Sequence, residues 1–115
     1  MDSGFDLSVA PERQDGIFWT VPYYVYIMAS QKNGTLYIGV TNNIGSRVLA
    51  HREGRGSSFA RRYGVTRLVF MEIFDDVNEA IAREKELKKW RRQWKIDLIE
   101  SANPDWDDLF LKLNR

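Results

Sequence analysis

Cysteine is absent from the 115 residues. That excludes disulfides and cysteine-based zinc sites, and it fits a reducing compartment. No apolar run approaches the roughly 20 residues that a membrane helix needs. The opening Met1-Asp2-Ser3-Gly4-Phe5-Asp6 carries acid where a signal peptide carries a basic start and an apolar stretch. A cytoplasmic protein is the expectation. Histidine occurs once, at His51, and there is no internal repeat. What remains is an ordinary globular composition, 43% hydrophobic, with room for one domain and one core.

The net charge of +1 says little, but its distribution is uneven. Residues 44–95 hold thirteen Lys and Arg against seven Asp and Glu, whereas residues 97–108 hold five acids and no base. A basic middle between acidic flanks suits a polyanionic partner, because Lys and Arg contacts to phosphate supply most non-specific nucleic-acid affinity. Solvated helix faces would give the same pattern.

Residues 1–21 lack periodicity and read as a flexible arm with a docked end at Phe18-Trp19; residues 22–110 read as the folded domain and 111–115 as a tail. Tyr23 to Ala29 and Thr35 to Val40 predict two strands around the turn signal Asn33-Gly34. Side-chain alternation puts Val25 and Ile27 on one face with Leu36 and Ile38, and Tyr24 and Tyr26 on the other with Tyr37 and Gly39. A two-residue loop would pair Met28 with Gly39. A longer loop over about Ser30 to Gly34 would set Tyr26 opposite Tyr37, and this register is the favoured one. Asn42 or Asn43 can cap a helix to about Glu53, and Ser58 to Tyr63 gives one further turn. A third strand is expected over Leu68 to Phe74. Helices follow over Val77 to Lys89, capped by Asp75 or Asp76, and over Arg92 to Ser101, stopped at Asn103-Pro104. Trp106, Leu109 and Phe110 then pack back. The order β-β-α-β-α-α predicts an α+β fold with a small three-stranded mixed or antiparallel sheet flanked by helices.

Some of these positions carry chemistry. Tyr26 and Tyr37 share a strand face. Gly39 in a strand interior marks a close approach, which would leave space near a phosphate. Arg47 and His51 lie four residues apart on one helix face, and Arg offers a planar fork for phosphate oxygens. Glu84 falls on the inward stripe of its helix, where a buried carboxylate needs a cationic partner: a divalent metal, or Lys88 one turn on. Tyrosine is a poor base at neutral pH unless a cation lowers its pKa, and His51 could take the proton instead.

In this order, Tyr24-Val25-Tyr26, Tyr37-Ile38-Gly39, Arg47, His51 and Glu84 resemble the GIY-YIG nuclease superfamily, nearest its small stand-alone bacterial branch. The resemblance covers Tyr23 to Phe110. It implies phosphodiester hydrolysis in DNA processing or repair, with Tyr26, Tyr37, Arg47, His51 and Glu84 catalytic and one Mg²⁺ or Mn²⁺ on Glu84. Arg61, Arg62, Lys88, Lys89, Arg91 and Arg92 would follow the backbone of the nucleic acid, and Asn103 matches a late polar residue that steadies a phosphate. Tyr24 stands where the first motif opens with glycine, and Val40 where the excision-repair branch has lysine. Two rival functions are a nucleic-acid-binding module without turnover and a protein-protein adaptor that uses the basic face with Trp106 and Phe110.

Overall fold

Strand alternation with both faces apolar requires cover on both sides, and that is how the chain is arranged. The computed structural model describes residues 5–6 and 22–113. Its elements are β1 (Phe5–Asp6), β2 (Tyr23–Ala29), β3 (Leu36–Thr41), α1 (Ile44–Arg52), α2 (Ser58–Tyr63), β4 (Arg67–Phe74), α3 (Val77–Lys89) and α4 (Arg92–Ala102), followed by a 3-10 turn over Leu109–Lys112. The sheet order is β1-β3-β2-β4; β2 runs antiparallel to both neighbours, and two-residue β1 pairs parallel with Val40 and Thr41. The α+β class and the antiparallel three-stranded core match the sequence expectation. The rest of the expected arm, including Phe18-Trp19, lies outside the described residues.

One face of the sheet carries Val25, Ile27, Ala29, Ile38 and Val40 under Ala80 and Leu87 of α3, Ile99 of α4 and Trp106. The other carries Tyr26, Met28, Tyr37 and Leu68 against Ile44 and Val48 of α1, Ala60 of α2 and Val65. Val69 is an extra residue in β4, since Ile27 pairs with Phe70 and Met28 with Leu68. Such a bulge leaves a carbonyl outside the ladder, and Asn103 Nδ2 donates to it at 3.0 Å.

The register of β2 and β3 differs from the expected one. Tyr26 pairs with Gly39, and Met28 pairs with Tyr37. Ser30 and Thr35 close the hairpin through Ser30 N to Thr35 O and Thr35 N to Ser30 Oγ, both 3.0 Å. The loop is therefore the four residues Gln31 to Gly34, and Arg92 holds it by donating to the carbonyls of Asn33 and Gly34 at 2.7 Å each.

Trp106 is not an exposed docking residue, as the adaptor reading required. It is fully buried, and its Nε1 donates to Glu100 Oε2 at 2.8 Å. Its backbone is left-handed, with φ 57°, which costs on the order of 1–3 kcal/mol. Burying a large aromatic contributes about 4–6 kcal/mol at roughly 25 cal/mol per Å², so burial outweighs the strain. Trp106→Ala is expected to destabilise the chain by about 3–5 kcal/mol in denaturant titration; a loss below about 1 kcal/mol would contradict this role.

Candidate active site

Tyr26 sits in the central strand and is fully buried. Its hydroxyl accepts from Arg47 Nε at 3.3 Å and lies 3.1 Å from His51 Nε2. Both partners come from α1, which starts at Asn43, whose side chain accepts from Ser46 N at 3.1 Å. The four-residue spacing of Arg47 and His51 aims both at one strand position. Tyr37 closes the group, with its ring centroid 6.3 Å from Tyr26 and 4.9 Å from His51, edge-on to the imidazole. Burial draws the Arg47 pKa down, but the Tyr26 and Tyr37 phenols outweigh it, and the group is raised above its ordinary value. Arg47 is a fixed cation at any working pH.

Two glycines make room for this cluster. A Cβ on Gly39 would stand 2.4 Å from the Tyr26 hydroxyl oxygen and 2.6 Å from its Cζ. The space at Gly39 is thus filled by the Tyr26 ring and not left for a phosphate. A Cβ on Gly56 would stand 2.4 Å from His51 Nδ1 and 2.8 Å from Cγ and Cε1. Gly56→Ala is expected to push the imidazole off Tyr26 and lower any activity about tenfold while the fold persists. An unchanged rate with an unchanged His51 NMR signal would count against the clamp.

Glu84 is buried on α3, as its place in the inward stripe predicts. Its Oε2 meets Lys88 Nζ at 2.7 Å. α3 packs on the face opposite the tyrosines, yet the two sides meet at the edge of the sheet. A cavity of about 440 Å³ is lined by Leu36, Tyr37 and Ile38 of β3, Ser57, Ser58 and Phe59 of α2, and Lys88 and Lys95. Burial first, and then the Arg92 charge, lowers the Lys95 pKa. The cavity thus joins the Tyr37 end of the phenol cluster to the Lys88–Glu84 pair.

Residues 22–97 match the family model of the GIY-YIG catalytic domain. The chain belongs to the GIY-YIG family. Its relatives include UPF0213 proteins. That of Clostridium perfringens is 42% identical over 80 residues, covering 70% of this chain and 85% of the relative. That of Staphylococcus saprophyticus is 38% identical over 80 residues, covering 70% and 96%. The solution NMR structure of a UPF0213 protein from Bacillus halodurans is 31% identical, covers 76% of this chain and 92% of its own, and superposes with a TM-score of 0.49. GIY-YIG domains form a nuclease family acting on nucleic acid, generally with a divalent metal.

Within this GIY-YIG chain the other expected contacts divide. Arg61, Arg62 and Lys89 are exposed, Arg91 lies 4.8 Å over the Trp94 ring, and Lys88 is on Glu84. Arg92 is not simply a backbone contact, because it holds the β2–β3 loop. Asn103 is structural. Its Nδ2 donates to the carbonyls of Val69 and Asp107, and its Oδ1 accepts from Asp107 N at 2.9 Å. It ends α4 and ties the tail to the β4 bulge. The sequence assigns no site role to Gly56, Phe59, Tyr63 or Lys95; Gly56, inside Gly54-Arg55-Gly56, reads only as part of a flexible basic loop. Among the described residues no cluster of three or more His, Cys, Asp or Glu forms a metal cage, and no helix is long and apolar enough to cross a membrane.

Proposed function

We propose that this chain is a divalent-metal-dependent endonuclease that hydrolyses phosphodiester bonds of DNA. The observation that carries the reading is the Tyr26 hydroxyl held between Arg47 Nε and His51 Nε2. Arg47 can only donate, so the tyrosine oxygen accepts from it and its proton is shared with the imidazole. Transfer of that proton to His51 Nε2 leaves a phenolate beside the guanidinium, which stabilises it. The phenolate takes a proton from the attacking water, with Tyr37 positioning the water at the cavity wall. Arg47, with Lys95 on the cavity wall, opposes the negative charge that builds on the phosphate.

Glu84 suits a hard divalent cation: Mg²⁺ is held by one or two carboxylates, with waters and phosphate oxygens as its other ligands. Mg²⁺ or Mn²⁺ held by Glu84 would supply positive charge to the leaving oxygen. The deciding experiment incubates the protein with branched, flapped, single-stranded and duplex DNA, with Mn²⁺ and with chelator. Cleavage that chelator abolishes is the expected result. Binding without cleavage under every condition would overturn the reading.

One observation favours a second reading, binding without turnover. The Lys88 ammonium on Glu84 already neutralises the carboxylate, and such a pair needs no metal. The same experiment separates the two. The adaptor reading loses its main support, because Trp106 is buried and Phe110 is packed under the Arg52 guanidinium at 4.7 Å.

A further inference from the structure

Helix α2 docks through Ala60, which is buried, and turns two large aromatics outward. Phe59 and Tyr63 are 45% and 47% exposed. They lie four residues apart on one face, with ring centroids 4.8 Å apart and planes tilted by 46°. Phe59 in turn stands 6.3 Å from Tyr37. The aromatic rings therefore run in an unbroken line from the buried phenol cluster to the surface. Exposed Arg61 and Arg62 flank the outer end, and the Arg62 guanidinium lies 5.6 Å over the Tyr63 ring. A second cleft, lined by Ser58, Phe59, Arg61, Arg62 and Tyr63, adjoins the cavity beside Tyr37; Ser58 and Phe59 line both.

We propose that Phe59 and Tyr63 form a stacking site for an unpaired base of a DNA strand whose phosphate lies at Tyr37 and Arg47. The occupant follows from charge and shape. Two arginines beside exposed rings suit a polyanion that carries flat apolar faces, and this pairing of stacking with a cationic track is how single strands are held. A paired base in a duplex keeps both faces covered by its neighbours, so only an unpaired nucleotide offers one. The tilt and the short distance between the two rings exclude a base sandwiched between them. Stacking is on the outer faces, and it reads no base edge, so little sequence preference is expected from this site alone.

The placement of the phosphate rests on the nuclease reading; the stacking site does not, and it is tested without turnover. With chelator present, binding of a 2-aminopurine-labelled single-stranded DNA, and of the matching duplex and RNA, is measured by fluorescence against salt. Phe59→Ala is expected to weaken single-strand binding about tenfold and remove the 2-aminopurine quenching, with duplex binding changed less than twofold and the salt slope unchanged. Phe59→Trp is expected to restore binding and quenching. Arg61→Ala is expected to lower the salt slope while quenching is retained. Both aromatics are half-exposed, so their truncation leaves the core intact. Equal loss of single-strand and duplex binding in Phe59→Ala, undiminished quenching, or tighter binding of RNA than DNA would overturn the proposal. If quenching behaves as expected and cleavage never occurs, the nuclease reading fails and the stacking site stands.

Discussion

Arg47→Lys is expected to lower single-turnover cleavage roughly 10²–10³-fold, the loss of about 2–4 kcal/mol that follows removal of one transition-state donor. The guanidinium has two tasks at once. Its Nε donates to the Tyr26 hydroxyl at 3.3 Å, and in the proposed reaction its planar fork would grip the phosphate. A lysine ammonium is a point donor on a flexible stem and cannot keep a phenol oriented while gripping two phosphate oxygens. Half-burial adds to the difference, because desolvation lowers a lysine pKa far more readily than it threatens an arginine. Arg62→Lys, at an exposed position, is expected to stay within about twofold of the parent. Circular dichroism establishes that each variant is folded. Equal rates for the two variants would make Arg47 an ordinary backbone-tracking charge.

Glu84→Gln is expected to abolish metal-dependent cleavage and to leave DNA binding intact or stronger, since a carboxylate near the phosphate is removed with little change in volume. The competing role predicts another outcome. If Glu84 serves only to pair with Lys88, the variant loses stability, and cleavage with Mn²⁺ proceeds at the parent rate. Breaking a buried pair from one side costs about 3–5 kcal/mol when the remaining charge is also buried. Lys88 keeps a third of its side chain in solvent, so the cost here is expected to be well below that. Thermal unfolding and cleavage measured on the same preparation separate the two roles.

The pattern of elements was legible because local signals agreed with one another. Asp76 caps α3 by accepting from Glu79 N, and the alternation in Tyr23–Ala29 assigns Tyr24 and Tyr26 to their correct face. The register was not legible. Asn33-Gly34 signals a turn but not the loop length, and the length is set by Ser30 Oγ bonding Thr35 and by Arg92 from 58 residues away in sequence. Gly39 illustrates the same limit: its sequence says that something comes close, and only the fold says that it is Tyr26. The helix stop at Asn103 is legible, but its bonds to Val69 and Asp107, and those of Arg92 to the hairpin loop, are not, because a polar side chain in a sequence does not reveal a backbone carbonyl that needs a donor. The exposed pair Phe59 and Tyr63 escaped notice because aromatic residues at helical spacing ordinarily mark a buried face. Ala60, the smallest side chain of that helix, does the docking instead.

The sheet also divides the labour of the site between two layers. α1 and α2 bring Tyr26's partners and the outward aromatics to one face, and α3 brings Glu84 and Lys88 to the other. Strand β3 touches both, through Tyr37 on one side and Ile38 on the other, at the rim of the same cavity. The phenol cluster and the Lys88–Glu84 pair therefore hang from opposite sides of a common backbone. Substitutions on the outer surface of α3 or of α2 would therefore leave the tyrosine, arginine and histidine of the buried cluster in place.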